Sequence, residues 1–182
     1  SGVIKRAIEA VAPYEKEVVT VFAYGKKGQE FFARRGYTIA QSYENKRDDV
    51  SLSVMEELSA KLSAGFVDAS YDEVIAVYSN FKSTFEQVPT SRTLLPLSVE
   101  HVSELVKDIR PVKGKWSADM ELSAPASYEV EPSDEEILSV LVPRLVAVSL
   151  YHMLLEAKAS EHSARMVAMK GASDKSKEVA RD

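Results

Sequence analysis

The last third of the chain consists almost entirely of helix-forming residues, and this feature constrains the fold most. Ser133 and Glu136 have the spacing of a capping box, which marks a helix start. Helix formers then run to Asp182, interrupted by Pro143 and Gly171, and Pro143 predicts a kink or a joint. An unbroken helix over 133–182 would be about 70 Å long. Because a chain of 182 residues cannot cover such a helix, we predict that much of it projects.

One stripe of this helix repeats at alternating steps of three and four residues, which is the period of a coiled coil. We call this stripe the seam, and its members are Leu138, Leu141, Leu145, Val148, His152, Leu155, Ala159, His162, Met166 and Met169. Such a stripe needs a partner, and the rest of the sequence offers no obvious helix of matching length. We therefore predict that the partner helix is missing from this chain or comes from another one.

The preceding residues alternate apolar runs with helical stretches, which is the pattern of a layered α/β domain. The predicted strands cover 18–24, 37–43 and 72–78, and the predicted helices cover 3–12, 26–35 and 49–66. The first and third strands are continuously apolar, which predicts burial on both faces, as in a parallel sheet. We predict a Rossmann-like, mostly parallel sheet with flanking helices over 1–132 and a long C-terminal coiled-coil helix over 133–182.

The segment between the third strand and the long helix gives weaker signals. Residues 84–97 indicate extended chain at a sheet edge, because Pro89 and Pro96 cannot donate ladder hydrogen bonds. A short helix over 98–110, irregular chain over 111–126 and a short strand over 128–130 complete the prediction.

Composition excludes several classes of function. The chain has no cysteine, which excludes disulfides, thiolate metal sites and cysteine nucleophiles. Its formal net charge of -5 argues against a nucleic-acid-binding protein. The most apolar segment, 138–155, is interrupted by polar residues, so we expect no bilayer-spanning helix and membrane association only through a partner.

Candidate catalytic and ligand-binding groups are few. His152 and His162 are ten residues apart on one helix, too far to share a metal ion. Gly25 to Gly28 follow a strand and open a helix, as phosphate-binding turns do, but lack the P-loop framework. A plain turn and a phosphate site both stay open. We predict no catalytic residue, no cofactor and no metal.

Two blocks of sequence resemble the gamma subunit of F-type ATP synthases. The first, similar to the family pattern S-E-x-x-A-R-M-x-A-M, is Ser160-Glu161-His162-Ser163-Ala164-Arg165-Met166-Val167-Ala168-Met169-Lys170, with Ala172-Ser173-Asp174 after it. The second, similar to a family stretch ending Q-V-P-T…L-L-P-L, holds Ser79-Asn80-Phe81, Gln87-Val88-Pro89-Thr90 and Leu94-Leu95-Pro96-Leu97. Two long motifs in the family order identify the chain as a member, and the likeness covers nearly all of it.

The resemblance implies a central-stalk subunit that is not an enzyme and binds no nucleotide or other cofactor. Such a subunit couples ion-driven rotation of the c ring to conformational changes in the catalytic hexamer. The implied partners are the alpha, beta, epsilon and c-ring subunits of ATP synthase, with no nucleic acid. The implied location is the cytoplasmic face of a bacterial inner membrane, as a peripheral protein held through the complex.

The resemblance also supplies candidate interface residues. Those for contact with the catalytic ring or with the N-terminal helix of the subunit are Glu161, Arg165, Met166, Met169 and Lys170. Those for contact with the c ring, near the foot of the stalk, are Tyr128, Val130 and Glu131.

Departures from the family pattern lead us to expect a fragment. Gamma subunits begin with a long helix, a first strand and a glycine-rich turn, whereas this sequence begins at Ser1, past the position of all three. The family continues with asparagine and a further helical stretch after the position of Asp174, where this chain has Lys175. Two other interpretations are a stand-alone nucleotide- or phosphate-binding α/β domain that uses Gly25 to Gly28, and a helical adaptor whose seam binds an unrelated helix.

Overall fold

The computed structural model describes residues 2–44, 50–97 and 134–180. In chain order the elements are α1 (Gly2–Val11), β1 (Thr20–Tyr24), α2 (Lys26–Arg34), β2 (Thr38–Tyr43), α3 (Leu52–Val67), β3 (Val74–Phe81), β4 (Gln87–Leu95) and α4 (Asp134–Val179). The elements predicted over 98–110, 111–126 and 128–130 lie outside the described residues, as does the predicted boundary between 132 and 133. Parallel strands with flanking helices and a long C-terminal helix confirm the predicted fold class.

The first half of the fold is a parallel β-α-β unit. β1 and β2 pair in parallel, with a bulge after Val21, and α2 contacts both strands. Gly25 has φ 101° and turns the chain from β1 directly into α2, a conformation that favours glycine. Gly36 has φ 81°, and its N–H donates to the Ala33 carbonyl, so the predicted C-terminal cap of α2 is confirmed.

The third strand pairs differently from the first two. The described strands form two sheets of two strands each, β1 with β2 and β3 with β4. A turn over 82–86 joins β3 to β4, and the Lys82 N–H donates to the Glu86 carbonyl across it. So short a connection requires an antiparallel hairpin. The extended chain predicted over 84–97 is confirmed as β4, which contains Pro89.

The strands are less buried than their composition predicts. Ala23 is the buried residue of β1, whereas Thr20 and Tyr24 at its ends are exposed. In β3 the buried residue is Tyr78, and the others are half-buried. The prediction that these strands are buried on both faces is therefore wrong within the described residues. A continuously apolar sequence shows that a strand is hydrophobic, but it does not show whether one or both faces of the strand are covered by other elements.

The described residues pack as two compact units. One unit contains Ser1–Ser51, Ile75–Arg92 and Tyr151–Asp182, and the other contains Leu52–Val74 and Thr93–Leu150. In the second unit, α3 buries Met55, Leu58 and Leu62 at helical spacing. Tyr71 lies so close to α3 that a methyl group at Gly65 would clash with its ring. Glycine at 65 therefore allows this close approach.

The long helix is continuous. α4 has 46 residues and passes through both Pro143 and Gly171 without a break, so of the kink or joint predicted at Pro143 the joint is absent. Proline removes one backbone donor, and packing against the protein can hold a helix together across that loss. The Ser59 hydroxyl, buried on α3, donates to the Pro143 carbonyl and provides such a contact.

The helix also contains a window that is apolar enough to cross a bilayer by length and composition. Within Ser139–Val179 an 18-residue window has a mean hydropathy of 1.5, and 22% of the window is buried inside the protein. The expectation of no bilayer-spanning helix is therefore wrong by length and composition. The high hydropathy arises because α4 carries apolar residues on two faces, of which one packs within the chain and the other is exposed.

Candidate interface on the long helix

One face of α4 is buried within the chain. Its side chains follow steps of three, four and seven residues, and their exposed fractions are 1% for Val146, 3% for Ser149, 5% for Met153 and 4% for Ser160. This spacing places them on one stripe of the helix. We call this stripe the inner face.

The seam is a second face on which Leu145, His152 and Ala159 are half-buried and the other described members are exposed. Its exposed fractions are 44% for Leu141, 43% for Val148, 41% for Leu155, 52% for Met166 and 61% for Met169. Each inner-face residue follows a seam position by one residue, so the two stripes are about 100° apart around the helix. The prediction that the globular part leaves the seam uncovered is confirmed for these residues.

Beyond the inner face the helix has little packing. From residue 161 to residue 180 every side chain is exposed except Ser163, which is half-buried. A segment this long gains little stability from helix propensity alone, because most helical stability in proteins comes from packing of an apolar face. The distal half of α4 therefore has the character of a helix that binds another surface.

The motif residues lie together on this exposed segment. The predicted pair between Glu161 and Arg165 is confirmed: Arg165 Nη2 lies 2.6 Å from Glu161 Oε1, with both side chains about half exposed. In the heptad defined by the seam, Met166 and Met169 occupy the two core positions, and Arg165 and Lys170 occupy the flanking positions. The segment thus presents two soft apolar side chains between two basic ones.

Residues of the second motif block form hydrogen bonds with α4. The Asn80 Nδ2 atom on β3 donates to Glu156 Oε2 at 2.9 Å, and the Ser160 hydroxyl donates to the Ser79 carbonyl at 3.2 Å. His152 Nδ1 lies 3.6 Å from the other Glu156 oxygen. These bonds were not predicted, and the only signal for them in the sequence is that Ser79 and Asn80 begin one motif while Ser160 begins the other.

The remaining candidate residues divide into two groups. The proposed ring contacts Tyr128, Val130 and Glu131 lie outside the described residues. The turn that could bind phosphate in the alternative interpretation lies within the described residues. Its Gly25 N–H donates to the Tyr43 carbonyl at 2.8 Å, so this N–H is not available to bind a phosphate.

The side chains around this turn also favour a plain turn. Lys26 Nζ lies 3.6 Å from Glu30 Oε1 on the next turn of α2, and a methyl group at Gly28 would meet nothing within 4 Å. Among the described residues no group of three or more His, Cys, Asp or Glu side chains could hold a metal ion.

Comparison with known proteins agrees with the two motifs. The family model described as ATP synthase matches residues 1–182. The ATP synthase gamma chain of Roseiflexus sp. (strain RS-1) is 37% identical over 185 residues, which cover 100% of this chain and 57% of that protein. The gamma chain of Staphylococcus haemolyticus (strain JCSC1435) is 34% identical over 184 residues, 100% of this chain and 58% of that protein. The chain thus spans little more than half the length of these curated relatives.

Solved structures share the fold. A chain of the central stalk and c ring of the Tetrahymena thermophila mitochondrial ATP synthase matches 93% of this chain with a TM-score of 0.64 and 23% identity, over 67% of its own length. A chain of the Euglena gracilis mitochondrial ATP synthase rotor matches 94% of this chain with a TM-score of 0.52 and 16% identity, over 63% of its own length.

Proposed function

Because this chain belongs to the ATP synthase gamma-chain family, we propose that it forms part of the central rotor stalk of an F-type ATP synthase. In this role it couples ion-driven rotation of the c ring to conformational changes in the catalytic alpha–beta hexamer. It acts as a mechanical part without bond chemistry of its own. Its partners are the alpha, beta, epsilon and c-ring subunits, and the complex holds it at the cytoplasmic face of a bacterial inner membrane.

The exposed seam of α4 is the observation that supports this proposal most. A stripe with coiled-coil period, left 41% to 61% exposed at Leu141, Val148, Leu155, Met166 and Met169, requires a second helix. In the proposed function that partner is the N-terminal helix of the complete gamma subunit. The two helices together form a rod stiff enough to carry torque, which a single exposed helix is not.

The distal contact segment is tested by shortening its side chains in the complete subunit. We expect the double variant Arg165→Ala/Met166→Ala to lower coupled ATP synthesis by about three- to tenfold, because an Arg anchor and a Met contact would be lost from one interface. Synthesis is measured in membrane vesicles energised by an ion gradient, after assembly of the complex has been verified.

The matched control for this experiment removes one apolar and one basic side chain elsewhere on the same segment. Val167→Ala/Lys175→Ala does so at positions outside the seam and its flanks. We expect the control to retain nearly the unsubstituted rate. Normal coupled synthesis by the Arg165→Ala/Met166→Ala enzyme would remove this segment from the proposed contact.

The foot of the stalk is proposed to contact the c ring through Tyr128, Val130 and Glu131, on the strength of the family resemblance. Residues 1–182 contain no cysteine, so Val130→Cys adds one thiol to this part of the subunit for a bifunctional crosslinker, and the unsubstituted complex gives the background from other thiols. We expect a crosslinked product with a c subunit in the assembled complex and none with Lys175→Cys, which lies on the distal helix. Failure of Val130→Cys to crosslink would withdraw this assignment.

A further inference from the structure

The distal part of the inner face buries two polar side chains for each apolar one. In the unit that contains Ile75–Arg92 and Tyr151–Asp182, the buried side chains that α4 contributes are Met153, Lys158 and Ser160. Of these three side chains only Met153 is apolar, while Leu154 and Ala157 beside it are half-buried. Hydrophobic burial is non-directional, so one flexible methionine fixes neither the rotation nor the axial position of a helix.

Two directional hydrogen bonds fix the rotation and the axial position of α4, which the methionine cannot do. Asn80 donates to Glu156, and Ser160 donates to the Ser79 carbonyl, so neighbouring residues of β3 meet residues one helical turn apart on α4. The Glu156 side chain is only 19% exposed, and its second oxygen faces His152. Two attachment points about 6 Å apart along the axis restrict both sliding and rotation.

A slip of the helix by one turn would break both bonds in either direction. In one direction the Glu156 carboxylate would replace Ser160 opposite the Ser79 carbonyl, and two acceptors cannot form a hydrogen bond. In the other direction Ala164 would face that carbonyl, which would then lose its donor. Asn80 would face His152 or Ser160, and either can accept its N–H, but the Ser79 carbonyl would lose the Ser160 donor in both cases. The sequence therefore satisfies both polar groups at once in one register only.

We propose that Asn80 and Glu156, together with the Ser160 bond to Ser79, form a polar latch that sets the register of α4 on β3. We further infer that these are positioning residues through which rotation passes between the helix and the strand. The second statement depends on the proposed rotor function, whereas the first concerns the fold alone. A single buried polar residue that fixes helix register in coiled coils is a known precedent for this use of polar groups.

Three substitutions test the latch in the complete subunit. Asn80→Asp places two carboxylates opposite each other and removes the donor. Glu156→Gln retains an oxygen that accepts from Asn80. The combined Asn80→Asp/Glu156→Gln variant restores a hydrogen bond with donor and acceptor exchanged, because Gln donates to Asp.

Register is measured as a distance between two spin labels. The labels are attached at Lys82→Cys and Ala168→Cys, both exposed and both within the same unit. Residues 1–182 contain no other cysteine, and any cysteine elsewhere in the complete subunit is replaced by serine. For Asn80→Asp we expect the distance distribution to broaden or shift by on the order of 5 Å, about one helical turn. Glu156→Gln and the combined variant should retain the original distance. If Asn80→Asp does not fold, Asn80→Ala replaces it, since it removes the bond without an opposing charge.

Coupled ATP synthesis in the assembled enzyme provides the second measurement. We expect Asn80→Asp to lower the rate about fivefold and the combined variant to recover it to within about twofold. An unchanged label distance in Asn80→Asp, or in the replacing Asn80→Ala, would overturn the latch. A shifted distance with an unchanged synthesis rate would overturn the torque role and leave the latch supported. The distances remain interpretable even if the rotor function itself fails the Arg165→Ala/Met166→Ala test.

Discussion

Aspartate at Val146 is expected to destabilise the 182-residue chain strongly, whereas aspartate at Val148, two residues further along α4, should leave its stability nearly unchanged. Val146 is 1% exposed and Val148 is 43% exposed. An unpaired carboxylate at a buried position costs at least about 4 kcal/mol, a large part of the 5–15 kcal/mol that holds a typical domain together. At an exposed position the same change stays within about 1 kcal/mol.

The two variants can be compared directly because each replaces a valine by an aspartate. Valine and aspartate also have similar helix propensities, so the intrinsic preference for helix changes little in either variant. Urea unfolding followed by circular dichroism gives the free energy of unfolding of each. Equal loss of stability in the two variants would show that the inner face and the seam are not distinct, and it would contradict the two-faced helix.

Features encoded by local spacing could be predicted from the sequence. The long helix followed from an uninterrupted run of helix formers, and the Glu161–Arg165 pair followed from a separation of four residues. The cap at Gly36 followed from one residue that tolerates positive φ. Each of these depends on groups within one or two turns of each other, for which the sequence itself specifies the geometry.

Features that depend on distant residues could not be predicted. Asn80 and Glu156 are 76 positions apart, and no periodicity links them. β3 pairs with β4 and not with the parallel strands. This choice depends on tertiary packing, which the apolar composition of a strand does not specify. The Pro143 carbonyl of α4 accepts from the Ser59 hydroxyl on α3, whose position no local rule supplies.

The largest functional effect is expected from charge on the seam of the complete subunit. We expect Val148→Asp/Leu155→Asp to prevent formation of the stalk coiled coil, and so to lower assembled ATP synthase and its coupled activity at least about tenfold. The two positions are exposed in the described residues but would form core layers one heptad apart against a partner helix. Two carboxylates in such layers cost several kcal/mol once the partner excludes water.

A matched control separates loss of the seam from general damage to the helix. Val140→Asp/Val167→Asp introduces the same two charges at exposed apolar residues that lie on the outer positions of the same heptad, with exposed fractions of 58% and 40%. We expect this enzyme to assemble and to retain coupling, as judged by the subunit content of purified membranes and by ATP synthesis. Assembly of the seam variant at the level of its control would mean that the exposed stripe has no partner helix. The 41% and 43% exposure of Leu155 and Val148 would then carry no functional meaning, and the rotor proposal would lose its main structural support.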